Sequence, residues 1–488
     1  RIKAEYNNQN NATQGGFFSD VGASTRGIAG GNVSINGVGA VVMDEITASG
    51  TLGVTTTGAV TDTGTLTITG ATTIAAGAGN NITLDTTTND FTSIGITTGN
   101  NVSITDEDDL ILNASTVSGT LGVTTAGAIT DGGVLTVTGA TTIAAGAGNS
   151  ITLDDVHNFS SVGITTGNNV TLNDTDALTL NASTISGTFG VTSGGTLTVG
   201  GAISATVGAT TLTANSMAIG AAITATGQTV TLKPVAASGT AINLGTGTGA
   251  LDLTGTELDN ITASTLRIGA NDTSTGAITV TSDINAANVA TIHLRTPSTI
   301  TGTAGGIVET NLALTAGGTI NFADATTDVD TLAISGSGQT VTFTDADGID
   351  LGSVDSVTGV TATTFNLTTG GAITDSQAST ISGVTTLLAG AGNNITLDHA
   401  SNNFGSVGIT SGLNVALNDT GALILNASTI SGTLGVTTAG AITDGGALTV
   451  TGETTLAAGA GNSITLDDLH NFSSLTITSG GNVTINDI

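Results

Sequence analysis

Apolar and polar positions alternate in short runs along most of the chain. "NITLD", "VGIT", "NVTLN", "LTLN", "LGVTT" and "LTVTG" recur, each four to six residues long and closed by Gly, Asn, Asp or Ser. In "LTVTG", Leu135 and Val137 share one face of an extended chain while Thr136 and Thr138 share the other, the period-two signal of a half-buried strand. No segment carries an apolar stripe at 3.6-residue spacing, and the β-branched content disfavours long helices. Strand starts fall every ~8–12 residues, a spacing shared by antiparallel sandwiches and by solenoids of short parallel rungs.

Repetition separates these two. "TLGVTTTGAVTDTGTLTITG" begins at Thr51, "TLGVTTAGAITDGGVLTVTG" at Thr120 and "TLGVTTAGAITDGGALTVTG" at Thr433, and a shortened "TFGVTSGG" begins at Thr188. The intervals of 69 and 68 residues differ by one at a single place: Asp85 lies six residues before Phe91, whereas Asp154 lies five before Phe159. A unit that tolerates an insertion at one turn behaves as strands joined by surface loops. Within a unit, "GNNITLD" and "GNNVSIT" place Asn81 and Asn101 twenty residues apart, about one coil of three short strands. The spacing therefore predicts an all-β parallel β-solenoid with three coils to each unit. In "GAGNN", the glycines supply positive-φ positions, and the asparagines tolerate left-handed geometry and stack amide on amide between coils.

The array divides the chain into four parts: residues 1–29, a joining or capping segment; 30–187, regular units; 188–364, a diverged stretch carrying Lys233, Pro234, Arg267, His293 and Arg295; and 365–488, regular units whose last copy stops at "GGNVTINDI". That stop predicts an exposed coil edge and lengthwise self-assembly, with Tyr6, Phe17 and Phe18 as anchors of the joining segment. The phenylalanines that close equivalent phrases, Phe91, Phe159, Phe404 and Phe472, are expected to form a core ladder.

Composition narrows function. Asp and Glu number 37 against 6 Lys and Arg, a formal net charge of -31, so a nucleic-acid backbone would be repelled. The absence of Cys excludes disulfides and thiolate chemistry, and no uninterrupted apolar run is long enough to span a membrane. With no Trp and one Tyr, a stacking platform for sugars is missing. Catalytic signatures such as HExxH, GxSxG or a phosphate loop are absent. A glycosidase needs two carboxyls about 5–10 Å apart in unlike environments. "DEDDL", including Asp106 and Asp108, instead reads as a solvated acidic corner. His157, His399 and His470 read as surface decoration of the repeat, one to a unit. Asp345, Asp347 and Asp350 lie close enough in sequence to attract Ca²⁺ weakly, without the spacing of an EF-hand, and Asp106 and Asp108 are the other weak metal candidates. No cofactor is expected beyond such surface Ca²⁺. The N-x-S/T triplets at Asn113, Asn181 and Asn426 arise readily in so Thr-rich a chain.

In repeat style and composition, over nearly all of 32–488, the chain resembles the shafts of filamentous haemagglutinin-like bacterial surface adhesins and extracellular matrix proteins. That resemblance implies a right-handed β-helix drawn out into a rod, secretion, and cell-surface attachment. The expectation is a non-enzymatic extracellular structural or adhesive protein that stacks end to end and contacts glycans or other matrix components. A β-helical polysaccharide-active enzyme and a viral fibre segment are the alternatives. At ~4.8 Å per coil the rod would measure on the order of 100–115 Å.

Overall fold

In the computed structural model of the protein, residues 16–18, 24–25, 28–246 and 250–488 are described. They fall into two compact units, Arg1–Val230 and Thr231–Ile488. Both are β-solenoids whose ladders run parallel. Among the described residues the antiparallel exception is a hairpin, Ser353–Val354 with Val357–Thr358.

Alternation along each rung sets what lies inside. Ile82, Val102 and Leu121 stack in register and are buried, while Thr83, Ser103 and Gly122 stack on the outer face. A β-branched or aliphatic residue therefore sits on another of similar size in the next coil. The core is a set of narrow columns of Val, Ile and Leu, which explains how so long a chain folds with so few aromatics. In the C-terminal unit the same stacking runs through the diverged stretch, where Leu266, Ile292, Leu312 and Leu332 lie in one buried column.

Corners follow the repeated phrase. The first glycine of "GAGN" takes a positive φ in all four copies, +86° at Gly77, +83° at Gly146, +84° at Gly390 and +82° at Gly459. The left-handed position thus belongs to glycine, and the following asparagine acts through its amide. Asn80 Nδ2 donates to the carbonyl of Ala76 at 2.7 Å and to that of Thr57, one coil away, at 3.1 Å. The next asparagine joins the expected amide stack: Asn100 Nδ2 donates to Asn81 Oδ1, and Asn414 Nδ2 to Asn394 Oδ1, both at 3.1 Å.

The unit is not three coils. Leu52 and Leu121 open the same phrase 69 residues apart, yet they stand in different ladders, Leu121 on the one that runs through Val60, Ile82 and Val102. Followed coil by coil, the ladder from Leu52 passes Thr72, Ile94, the strand Leu110–Leu112, Ile129, Ile151 and Val170 before it reaches Phe189. Seven ladder steps therefore span two sequence units, or three and a half coils for each. Coils of 18 to 23 residues sum to a half-integral count because a third short rung is inserted on alternate sides: Leu66–Ile68 in one copy, Leu135–Val137 in the next. Successive copies consequently present the same phrase on opposite faces of the unit.

A one-turn helix, Gly255–Leu258, is held by a reciprocal cap between Thr254 and Glu257 and buries Leu258. Tyr6, expected as an anchor, lies outside the described residues. For Phe17 and Phe18 the description extends to the backbone, which forms a strand paired with Val33–Ile35. No helix among the described residues is long and apolar enough to cross a membrane.

Candidate functional site

The repeated aspartates come first, because they decide which polar groups are already engaged. Phe91, Phe159, Phe404 and Phe472 are all buried, and their backbone N–H groups donate to Asp106, Asp174, Asp419 and Asp487 at 2.6, 2.7, 2.6 and 2.9 Å. The second carboxylate oxygen caps the turn that follows, accepting from Asp108 at 3.3 Å, Asp176 at 3.2 Å and Gly421 at 2.8 Å. Asp345 does the same for Val329 and Asp347. "DEDDL" is therefore not a uniformly solvated corner: Asp106 is buried, because it closes a backbone gap between coils, and Glu107, Asp108 and Asp109 remain exposed. Burial pushes the Asp106 carboxyl up to about 7, against the lowering effect of its two backbone donors, and raises Asp174 and Asp345 to about 6.

A second series pairs Asp62, Asp131, Asp375 and Asp444 with Asn89, His157, Asn402 and His470. Asn89 Oδ1 accepts from Leu66 N–H at 2.9 Å while its amide donates to Asp62 at 2.6 Å. In the next copy His157 Nδ1 accepts from Leu135 N–H, and Nε2 lies 3.0 Å from Asp131, slightly off the hydrogen-bond axis. Asn402 and His470 repeat the two arrangements. The histidines are thus fully buried links between coils and not surface decoration. Because Nδ1 of each accepts a backbone N–H, a singly protonated ring carries its proton on Nε2, and burial keeps His157 neutral. Histidine occurs where the preceding turn is one residue shorter and asparagine where it is longer, so the longer side chain spans what the shorter turn leaves open. His399 lies in the longer turn, and its Nδ1 accepts from Ser401 N–H.

Of the Ca²⁺ candidates, Asp345 and Asp347 come together with Asp328, each offering an oxygen within 4.8 Å of the others. This small acidic cluster is able to coordinate a metal ion. Asp350 is elsewhere, bonded to Thr374 and Ser376. Asp106 and Asp108 share one turn with no third ligand grouped beside them among the described residues.

The diverged stretch of the C-terminal unit builds a different site. Arg267, His293, Ala313 and Ala333 occupy one outward column of four neighbouring strands, and Arg295, Thr315, Ser335 and Thr361 occupy the next. Between Ile334 and Val360, paired in adjacent coils, the chain is 26 residues long, well above the usual coil. The excess forms the hairpin. Asp355 and Ser356, at φ +42° and +68°, make the tight turn that joins two antiparallel strands. Val354 and Val357 pack the hairpin down on Ala313 and Ala333, which places Asp355 over the basic column.

Arg267 grips Asp355 with two donors, Nε at 2.7 Å and an Nη at 2.6 Å. His293 Nδ1 lies 2.7 Å from the same carboxylate and Nε2 lies 2.9 Å from Thr315 Oγ1. Burial opposes ionisation of Asp355, but the Arg267 and His293 bonds outweigh it and hold the carboxyl below its usual range. Burial likewise lowers His293, against the pull of Asp355, so the ring is neutral with Nδ1–H on Asp355 and Nε2 accepting from Thr315. Together with Asn271, Arg295, Ser335, Thr358 and Thr361 these groups line a cleft of about 490 Å³.

The carboxylate–imidazole–hydroxyl order is that of a hydrolase relay. Thr315, however, lies inside a strand flanked by two others, so neighbouring N–H groups are engaged in the ladder and are not free to form an oxyanion hole. The cleft also contains a single carboxylate, short of the pair that glycoside hydrolysis requires. Sequence reading singled out Arg267, His293 and Arg295 as departures from the repeat and missed Thr315 and Asp355. The signal for the latter was "SVDSVT", two short β-branched runs around a two-residue turn.

Five stretches of the chain, 30–98, 99–166, 167–233, 338–411 and 412–479, match the family described as repeats of unknown function (DUF5649), together well over half of the sequence. No curated protein and no solved structure matches.

Proposed function

The chain belongs to the DUF5649 family of repeats, and from that footing we propose that it is a non-enzymatic structural and adhesive component acting outside the cell, a β-solenoid shaft of a surface fibre or matrix. The observation that carries this reading is where the repeated polar side chains go. The aspartate, asparagine and histidine series bind the backbone of the adjoining coil, so the repetition is directed at extending a stack and not at building one reactive centre. The resemblance to haemagglutinin-like adhesins agrees with such a role. Lengthwise assembly belongs to the same proposal, because coil-to-coil pairing between chains would use the parallel ladder already present within each unit. The charge of -31 opposes side-by-side contact until salt or divalent cations screen it. Ca²⁺ at Asp328, Asp345 and Asp347 would be one such cation.

An enzyme reading is tested by incubating the full chain with a panel of polysaccharides and assaying for new reducing ends. The proposal expects none. Turnover abolished by Asp355→Asn or another single Asp→Asn change would overturn it.

A further inference from the structure

The basic column of the diverged stretch has no counterpart in the regular repeats. Lys233, Arg267 and Arg295 are the chain's basic residues from position 30 onward, and two of them face one cleft. Their situations differ. Arg267 is neutralised by its bidentate pairing with Asp355, whereas Arg295 forms no ion pair among the described residues. Asp272 feels the charge of Arg295 without pairing to it, and its carboxylate is engaged by the backbone and hydroxyl of Ser274. A half-buried guanidinium is thus left facing the cleft on a rigid strand, one ladder position from Thr315.

We propose that this cleft binds a carboxylate carried on a hydroxyl-rich body, the chemistry of an acidic sugar. The planar fork of Arg295 matches a carboxylate with two parallel donors. Around it the walls offer the hydroxyls of Ser335, Ser356, Thr358 and Thr361 and the amide of Asn271, groups that exchange hydrogen bonds with sugar hydroxyls. Ile334 and Val357 are the apolar lining, too little for a fatty acid, and no Phe, Tyr or Trp lines the cleft to hold a neutral sugar by stacking. The cleft volume lies within the range of small-molecule sites, about 300–1,000 Å³. Asp355 and His293 position the site: the Arg267–Asp355–His293 network fastens the hairpin that forms one wall. In an otherwise acidic molecule, Arg295 also selects where such a ligand docks.

This inference deepens the adhesive reading by naming the class of group that the shaft would hold. The test uses the full chain, titrated by isothermal calorimetry and NMR with sodium galacturonate, galactose and sodium sulfate. Galacturonate is expected to bind and to weaken with added salt, galactose and sulfate to bind far more weakly. Arg295→Gln should lower galacturonate affinity by about tenfold or more, as loss of a charged hydrogen-bond pair does, and Arg295→Lys should restore part of it by returning the charge without the fork. Far-ultraviolet circular dichroism and melting should be unchanged in both variants. Equal binding of galactose, equal binding of sulfate, or wild-type affinity in Arg295→Gln would each overturn the assignment. Those results would leave the shaft reading standing, since it is judged by assembly and not by this cleft.

Discussion

A carboxylate buried at the corner of a coil is tolerated because backbone N–H groups from two segments converge on it, and Asp106 and Asp174 are the clearest cases. Their neighbours Phe91 and Phe159 fill the space behind. Phe159→Ala should cost about 3–5 kcal/mol of stability, the usual range for emptying a buried aromatic site. A loss below about 1 kcal/mol in urea denaturation would place the ring outside the core. His157 makes the sign of its pH dependence testable. Burial holds its pKa below the ordinary value, against Asp131, Asp154 and Asp155, so the unfolded chain takes up the proton first. Its contribution to stability is therefore complete above about pH 6.5 and declines as pH falls below that value. Asp106 and Asp174 act with the opposite sign. With folded pKa values of about 7 and about 6, they favour the folded state increasingly as pH falls through those values. Comparison with His157→Gln, which keeps an acceptor and a donor but does not titrate, isolates the histidine. The stability difference in favour of wild type should shrink between pH 7 and pH 5, and a constant difference would contradict the assigned neutral ring. At the acidic cluster, Ca²⁺ affinity should rise as pH increases through about 6, where Asp345 loses its proton, and fall on Asp347→Asn.

Among the elements, the coupling of turn length to side-chain reach has a direct consequence. His157→Asn should destabilise by about 1–3 kcal/mol, because the shorter amide leaves Leu135 N–H and Asp131 without a common partner. Replacing residues 155–157 by Thr-Thr-Thr-Asn, the longer turn found before Phe91, should recover most of that loss; failure to recover would show that turn length and residue identity are independent. This pairing was visible in the sequence as a one-residue difference between copies, but its cause was not, since period counting reveals nothing about which atom a side chain reaches. The strands themselves were legible because Val, Ile and Leu alternate with Thr so regularly, and the corner glycines because one phrase recurs. The coil count was not. A 68- or 69-residue interval fixes where a phrase returns along the chain, whereas the face it returns to depends on small insertions at corners, and three and a half coils leave the same period as three. The hairpin was missed for a related reason. "SVDSVT" occurs once, and Asp355 gains its meaning from Arg267 and His293, which lie 88 and 62 residues earlier.

At the scale of the whole molecule, the proposed shaft role carries with it growth by end-to-end joining, which parallel coils and a strong like charge favour over lateral contact. Pairing at the end of a stack satisfies a row of backbone groups, while lateral contact brings acidic surfaces together. Deletion of residues 1–29 should reduce end-to-end joining if that segment is the connector, and mass photometry of the two forms at equal concentration would measure the change. Obligate trimers would instead favour the viral-fibre alternative. The most direct measurement is electron microscopy of the isolated full chain over a range of concentrations, with and without Ca²⁺. The shaft account predicts thin rods on the order of 100 Å long, at about 4.8 Å per coil, that join end to end into filaments repeating at one rod length. Compact particles, or single rods that never join under any of these conditions, would contradict it.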